Sequence, residues 1–177
     1  HPAYANYPAV NMSHAGAEAY CRWMQDRMNA EAPSNTRYEV RLPSRLEWLR
    51  AANGDLAVGP YAWGGPYLRN AKGCYLCNFS QVGGERVERD PETGKLQVVT
   101  WKEAGSPVMG AAGALADNVD ITAPVNAYYP SDLGLYNMNG NVAEMLLEDG
   151  KAAGGSWLSP GFDVRNESLM PFTGPSP

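Results

Sequence analysis

Cys74 and Cys77 form a C-x-x-C pair in the run GCYLCN. Two thiols at this spacing serve in proteins as a redox couple, as half of a zinc site or as a local disulfide. A redox pair normally opens a helix beside a thioredoxin-like βαβ unit, and the sequence around this pair contains no such pattern. Zinc needs four ligands, and neither a second cysteine pair nor a histidine-rich stretch lies nearby. The pair is therefore interpreted as structural, free or locally bridged, with metal binding and catalysis left open as alternatives.

The charge of the chain argues against two classes of partner. Lys and Arg number 14 and Asp and Glu number 19, which gives a formal net charge of -5. No basic stripe is present, so nucleic acid is not expected as a partner. A mildly acidic surface also has the wrong sign for docking onto anionic lipid. No apolar run approaches the roughly 20 residues needed to span a bilayer.

Length and composition predict a single irregular domain over residues 1–177. The chain has 19 Gly and 14 Pro residues without any period, which is typical of a loop-rich globule. Its length suits one sizeable core, and no internal linker suggests a second domain. With Cys21 there are three cysteines, too few for a disulfide framework, so cysteine usage leaves the cellular compartment undecided.

Two helices are predicted near the start of the chain. The first runs from about His14 to Asn29 with Ser13 as N-cap, and its buried face is expected to contain Ala17, Tyr20, Cys21, Met24 and Met28. A strand-like run follows in EAPSNTRYEV. The second helix lies within RLPSRLEWLRAANG, where Ser44 and Glu47 make a capping box and Gly54 ends the helix. Leu46 and Leu49 are expected on its buried face.

Regular structure is expected to be sparse beyond residue 54. We expect an ordered loop around residues 63–79, then a more mobile insertion around GGERVERDPETGK. The runs APVNAYY, GLYNM and GGSWL predict small strands separated by tight turns. Four aromatic residues are interpreted as core and loop anchors: Trp48, Trp63, Tyr67 and Trp157.

Four blocks, taken in order, resemble the formylglycine-generating-enzyme (sulfatase-modifying factor) domain family. They are YPAVNMSHAGAEAYCRWM, RLPSRLEWLRAANG with YAWGG, TAPVNAYYPSDLGLYNMNGNVAEM, and GGSW. Their order and spacing cover nearly the whole chain. The resemblance implies an α+β globule related to the C-type-lectin fold, with two short helices and small antiparallel strands. Because HPAYANYPAV resembles a domain interior and MPFTGPSP precedes the family's closing strand, we expect the first and last segments to be missing.

The resemblance also implies where catalytic thiols would stand. Enzymes of this family hold copper with two cysteines, one two residues beyond G-G-S-W and the other five residues further on. Those positions are Ser159 and Val164 here. A hydroxyl is a poor ligand for Cu(I) and an isopropyl group is none, so copper and oxidase activity are not expected. An iron-dependent branch of the family uses three histidines, whereas this chain has only His1 and His14.

Matching to family members also implies two structural calcium sites. Calcium prefers several oxygen donors at once. The second site would use the side chains of Asn137 and Glu144 with the carbonyls of Gly140 and Val142. The first site would combine the side chains of Asn78 and Asp117 with two carbonyls, those of Phe79 and Val119. The alternative for residues 137–141 is a tight turn favoured by Asn and Gly.

The run YAWGGPYLRNAKGCYLCNF is similar to a segment of family lipoproteins in the gliding-motility and type IX secretion machinery. The short LLEDGKAAGGSW departs from those members. The resemblance implies a non-catalytic scaffold in the periplasm, associated with the outer membrane through a lipid anchor outside this chain. Its partners would be other secretion or outer-membrane proteins. Two alternatives stay open: a divergent oxidase using Cys74 and Cys77, and a lectin-fold ligand-binding domain with an exposed cluster around Trp157 to Arg165.

Overall fold

The computed structural model describes residues 2–54, 59–79, 85–90, 92–100, 121–172 and 174. After a short 3-10 helix, its elements are α1 (His14–Glu31), α2 (Arg45–Asn53), β1 (Glu85–Arg89), β2 (Leu96–Thr100), β3 (Glu144–Met145), β4 (Lys151–Ala153) and β5 (Met170–Pro171). The strands form an antiparallel β1–β2 hairpin and a three-stranded antiparallel sheet in the order β3-β4-β5. This is the α+β architecture that the sequence predicts.

Helix α1 begins as predicted but exposes Tyr20, which the prediction had placed on the buried face. The Ser13 hydroxyl accepts a hydrogen bond from the Gly16 N–H at 3.1 Å, which caps the first turn. Ala17 is buried, but Tyr20 is exposed and packs against exposed Trp23, with ring centroids 5.5 Å apart. The expected position of Tyr20 was wrong because apolar spacing identifies a stripe without showing which edge of it faces the protein. Met28 is also exposed.

The strand-like run after α1 is extended chain held by side chains of the helix. Asn29 donates to the Tyr38 carbonyl at 2.9 Å and accepts from the Tyr38 N–H at 2.8 Å. Gln25 accepts from the Val40 N–H at 3.1 Å. These amide side chains satisfy backbone groups that a neighbouring strand would otherwise satisfy. In place of the predicted strand, this segment is an extended chain that is hydrogen-bonded to side chains of α1.

Helix α2 has the predicted capping box, with reciprocal bonds between Ser44 and Glu47. Arg41 donates two hydrogen bonds to the Glu47 carboxylate, at 2.7 and 2.8 Å, and holds the pKa of that carboxyl well below its ordinary value. Gly54 ends the helix with φ +57. The predicted buried face was wrong for Leu46, which is 78% exposed, whereas Leu49 packs against the core as predicted and Trp48 is the fully buried residue.

Trp48 lies at the centre of the main core. Its buried neighbours come from α2 and from the later loops and strands: Ala52, Ala62, Met138, Leu146 and Ala153. Most of these partners are small, so a single indole fills much of the space between α2 and the β3–β4 pair. No helix among the described residues is both long enough and apolar enough to cross a membrane.

The predicted strands of the final third were misplaced. The runs APVNAYY, GLYNM and GGSWL form turns and extended loops, and the strands lie between or beyond them. Part of the polar segment that we expected to be a mobile insertion forms β1 and β2, which pair from Glu85↔Thr100 to Arg89↔Leu96. The loop at residues 63–79 is ordered as predicted, with an isolated bridge between Arg69 and Tyr75.

Candidate functional site

The glycine pair after β4 determines the path of the loop that contains both thiol positions. Gly154 and Gly155 have φ angles of +83 and +71, a region that other residues rarely adopt. A Cβ on Gly155 would lie 2.6 Å from the Val164 Cγ1 and 2.9 Å from its Cα. The backbone therefore turns sharply and approaches Val164 more closely than any side chain would allow.

Ser159 is buried with its hydroxyl in local hydrogen bonds. Its Oγ accepts from the Ser156 N–H at 2.9 Å and donates to the Met170 Sδ at 3.6 Å. The Ser156 hydroxyl lies 3.4 Å away. The two serines close a turn, since the Ser159 N–H also bonds the Ser156 carbonyl at 3.0 Å. The Ser159 hydroxyl has local partners and is available for little else.

Val164 is fully buried in a second small core. It clusters with Tyr61 and Cys77, and the partly buried side chains of Trp63, Leu68 and Phe79 pack against that cluster. The Tyr61 hydroxyl donates to the Gly161 carbonyl at 3.1 Å, and burial raises its pKa. The position of the second family thiol is thus part of a packed apolar interior.

Cys77 lies in that interior, a placement that the sequence analysis missed. The three cysteines are all among the described residues, and none forms a disulfide. Cys74 is exposed, with its N–H bonded to the Asn70 Oδ1 at 3.0 Å, so the two thiols of the C-x-x-C pair differ in burial. The signal that could have placed Cys77 is the alternation Tyr75-x-Cys77-x-Phe79, which puts three apolar side chains on one side of extended chain. The Tyr75 and Phe79 rings are in contact, with centroids 5.3 Å apart.

Two buried asparagines hold the surrounding loops together. Asn139 accepts from the Ala62 N–H at 2.7 Å and donates to the Val164 carbonyl at 2.6 Å. Asn141 exchanges hydrogen bonds with the Ala123 backbone at 2.7 and 3.2 Å. Their amides satisfy buried backbone groups that lie outside regular structure. These two residues act as structural crosslinks.

Asn137 has an oxygen without a hydrogen-bonding partner. Its φ is +54, and its amide nitrogen donates to the Val125 carbonyl at 2.9 Å and the Pro124 carbonyl at 3.3 Å. The Oδ1 atom is buried and has no hydrogen-bond partner among the described residues. Buried acceptors of this kind are rare, and an ordered water, an ion or a ligand can satisfy one.

Glu144 is a partly buried carboxylate at the start of β3. It accepts a hydrogen bond from the Trp48 indole N–H. Burial raises the pKa of its carboxyl to about 7, although the Trp48 bond acts in the opposite direction. A cation beside Glu144 would offset this desolvation.

The other predicted calcium ligands are only partly within the described residues. Gly140 approaches the backbone of Asn78 so closely that a Cβ would lie 2.2 Å from the Asn78 oxygen. The Asn78 amide donates to the Ile121 carbonyl at 2.6 Å. Phe79 is described, whereas Asp117 and Val119 lie outside the described residues. Within the described part of the chain no group of three or more His, Cys, Asp and Glu residues could hold a metal, but the predicted calcium sites rely mainly on amide and carbonyl oxygens.

Comparison with known proteins assigns this loop-rich fold to a family. The model of the sulfatase-modifying factor enzyme 1-like domain matches residues 1–170. The chain belongs to this family. Within it, the chain is 29% identical over 166 residues to a formylglycine-generating enzyme of Streptomyces coelicolor, covering 94% of this chain and 37% of that protein. It is also 27% identical over 161 residues to the inactive C-alpha-formylglycine-generating enzyme 2 of Bos taurus, covering 86% of this chain and 39% of that protein. It therefore spans less than half the length of these relatives.

Solved structures agree on the fold. PvdO from Pseudomonas aeruginosa superposes with a TM-score of 0.60 at 17% identity, covering 97% of this chain and 57% of that one. Treponema denticola variable protein 1 superposes with a TM-score of 0.56 at 16% identity, covering 96% and 66%. The sulfatase-modifying factor family thus includes proteins named as enzymes and one named as inactive, which leaves the role of this member to be argued from its own residues.

Proposed function

We propose that this chain is a non-catalytic member of the sulfatase-modifying factor family that acts as a binding or scaffold domain. The observation that carries the proposal is the filled interior at both thiol positions. Val164 is fully buried beside Tyr61 and Cys77, and the Ser159 hydroxyl already has a donor and an acceptor. Cu(I) prefers soft sulfur ligands, and neither position supplies one.

Anaerobic titration with Cu(I) against a chromophoric chelator tests this step. We expect wild-type protein to leave the chelator complex intact, because its two candidate positions offer a hydroxyl and an isopropyl group. The double variant Ser159→Cys/Val164→Cys, which restores both thiols, is the matched control and should take copper from the chelator. Tight binding by the wild type that survives Cys74→Ser would overturn the proposal.

We also propose that the chain binds calcium for stability. The second site would use the buried Asn137 Oδ1, the Glu144 carboxylate and the carbonyls of Gly140 and Val142. Support comes from the unpartnered Asn137 oxygen and from the burial of Glu144. The first site would add Asn78 and Phe79 to Asp117 and Val119. Bound calcium would supply a counter-charge for Glu144 and hold the turn at residues 137–144.

For location and partners, we propose a periplasmic role at the outer membrane as an assembly component of type IX secretion or gliding machinery. The support is the resemblance of residues 61–79 to lipoproteins of that machinery, and the membrane attachment would be a lipid anchor outside these 177 residues. Affinity purification of the full-length protein from solubilised outer membranes, with quantitative mass spectrometry, tests it. Recovery of secretion components in fixed ratio supports the proposal, whereas recovery of no stable partner contradicts it.

One observation favours a second candidate, a divergent oxidase. Cys77 lies beside Val164, so one thiol is close to the position of a family thiol even though Val164 itself is not a cysteine. A single buried thiol lacks the second soft ligand, because Cys74 is exposed on the loop. Copper binding that is lost in Cys77→Ala would favour this candidate over the scaffold.

A further inference from the structure

The loop that follows the glycine pair is locked to the loop that precedes Cys77. We call residues 156–168 the post-glycine loop and residues 67–75 the basic loop. A Cβ on Gly161 would lie 2.4 Å from the Leu68 Cδ1 and 3.6 Å from the Phe79 Cε2, so the backbone at Gly161 is in close contact with the Leu68 side chain. The Gly161 carbonyl also accepts from the Tyr61 hydroxyl, Tyr61 stacks on Trp63, and the Trp63 indole donates to the Tyr67 carbonyl. Tyr67 and Phe162, the sequence neighbours of Leu68 and Gly161, therefore belong to two loops that meet here.

Both loops are braced by their own hydrogen bonds. In the basic loop the Leu76 N–H donates to the Leu68 carbonyl at 3.0 Å, and the Asn70 side chain accepts from the N–H groups of Lys72 and Cys74 at 2.9 and 3.0 Å. This network fixes the hairpin that carries Tyr67. The basic loop therefore presents its side chains from a fixed backbone, which lowers the entropy lost on binding.

The post-glycine loop is braced around Phe162. The Phe162 carbonyl accepts from the Arg165 Nε at 3.1 Å and from the Ser168 hydroxyl at 2.9 Å. The Arg165 guanidinium lies 3.7 Å from the centroid of the Phe162 ring. Packing of the cation on one face of the ring restricts its rotation. Phe162 is thus held at the surface, so it would lose little conformational entropy on binding a partner.

The braced loops expose apolar side chains at their tips. Tyr67 is 74% exposed, Phe162 is 66% exposed and Leu158 is 60% exposed. We call these three residues the two-loop face. Rigid aromatic side chains beside an arginine are the residue types that dominate protein–protein binding energy, and exposed apolar groups with a polar rim mark interaction sites. The face has the composition of a binding surface.

The charged residues of the two loops indicate what kind of partner the two-loop face favours. Residues 59–79 include Arg69 and Lys72 and no acidic residue, although the whole chain has a net charge of -5. Both basic residues are exposed. In the post-glycine loop Arg165 is 3.0 Å from Glu167, so those two charges balance and Asp163 adds a single negative charge. The basic loop is a locally positive surface on an acidic protein, and such a surface favours an acidic partner.

We propose that the two-loop face binds an extended acidic segment of a partner protein, with an apolar residue of that segment packed against Phe162 and Tyr67 and its carboxylates facing Arg69 and Lys72. This proposal rests on the proposed function as a binding domain and adds the chemistry of the partner. It also assigns a role to the run that the sequence analysis singled out, PYLRNAKGCYLCNF.

Selection from a phage-displayed library of random peptides on the full chain tests the proposal. Enriched peptides should combine several Asp or Glu residues with an aromatic or large aliphatic residue. Their synthetic consensus should bind more weakly as salt rises, because part of the attraction is between charges. Failure to enrich any sequence, or enrichment of neutral or basic sequences, would overturn the proposal.

Variants then locate the binding surface. With the consensus peptide as probe, Phe162→Ala should weaken binding by about tenfold or more, as expected for an interface anchor. Lys72→Glu should weaken binding and reduce its salt dependence without disturbing the core. Tyr129→Ala removes another aromatic side chain, 83% exposed, and serves as the matched control that should bind like the wild type. Unchanged binding in both Phe162→Ala and Lys72→Glu would refute the assignment.

Two further outcomes distinguish a failure of the acidic-segment proposal from a failure of the proposed function. A salt-sensitive homodimer that Phe162→Ala disperses would mean that a second copy occupies the face, which overturns the acidic-segment proposal. Oxidation of a cysteine peptide by the same preparation would refute the non-catalytic function. The peptide titrations would in that case still test whether the two-loop face binds acidic segments, since its residues are not among the thiol positions.

Discussion

The polar turn at residues 137–144 leads into β3, and the post-glycine loop follows β4. The two regions differ in whether their buried polar groups have hydrogen-bond partners. In the turn, the Asn137 Oδ1 is buried and has no hydrogen-bond partner among the described residues. Burial also raises the pKa of the Glu144 carboxyl. In the post-glycine loop, Ser159 has its hydrogen bonds made and Val164 is packed on Cys77. The first region has a buried acceptor without a partner among the described residues, whereas the polar group of the second has its partners within the loop and in β5.

This difference separates two uses of one family scaffold. A structural cation needs several oxygen donors, which the proposed second calcium site would supply. A copper site needs a thiolate pair, and the proposed non-catalytic role rests on a hydroxyl and a packed isopropyl group at the two positions instead. The two regions therefore respond to different perturbations.

The prediction that bears most directly on the comparison concerns calcium binding. Glu144→Gln removes the only carboxylate of the second ligand set, so calcium affinity should fall at least about tenfold in an isothermal titration. The matched control is Asp149→Asn, since Asp149 is a nearby carboxylate whose side chain is 91% exposed. Equal calcium affinity of Glu144→Gln and the wild type would show that this turn is not the calcium site.

The glycine pair should be the most sensitive point of the post-glycine loop. Gly155→Ala combines a positive φ with a Cβ 2.6 Å from the Val164 side chain, and should lower the free energy of unfolding by about 3 kcal/mol. Gly134→Ala also has a positive φ, +76, but no atom lies within 4 Å of its Cβ, so it should lose only about 1 kcal/mol. Urea denaturation of both variants measures the difference, and equal losses would mean that the loop is not tightly packed.

Truncation of Val164 tests whether the thiol position is a filled interior. Val164→Ala should lower the free energy of unfolding by about 2 kcal/mol, because a fully buried methyl pair is replaced by a cavity. Val125→Ala, at an exposed position, should change it by less than about 0.5 kcal/mol. Thermal or urea denaturation gives both values, and a neutral Val164→Ala would indicate spare room at this position.

The smallest expected effect is a pH dependence of the metal-free protein. The pKa of Glu144 is raised from 4.5 to about 7 by burial, so the native state holds its proton more tightly than the unfolded chain. This contribution to stability is fully present below pH 4.5 and is lost as pH rises through 7. With a chelator present, the wild type should lose roughly 1–2 kcal/mol across that window relative to Glu144→Gln. Parallel pH profiles for the two proteins would contradict this account of Glu144.

Local features were predictable from the sequence, and tertiary placements were not. Ser13 and the Ser44–Glu47 capping box were found because a cap depends on side chains and backbone within four residues. Leu46 was expected inside and is exposed, because hydrophobicity alone does not tell which face of a short helix meets the core. Trp48 takes that place because the β3–β4 pair lies on its side of the helix.

The candidate site divides in the same way. Ser159 and Val164 were assigned to the family's thiol positions by their distance from GGSW, and this assignment stays a prediction. The neighbours of these two residues, Cys77 beside Val164 and Met170 beside Ser159, could be assigned only from the fold. The small strands were misplaced because segments of two or three residues have no periodicity to detect.

The most direct test of the central claim is the reaction itself. The chain is incubated with Cu(I), molecular oxygen, a thiol reductant that supplies the other two electrons and a cysteine-containing peptide, and the peptide product is followed by mass spectrometry beside a blank with copper and reductant only. We predict that the cysteine is not converted to formylglycine and that oxygen consumption equals the blank. Saturable, copper-dependent formation of formylglycine by the wild type would contradict the account, and its loss in Cys77→Ala would identify the thiol responsible.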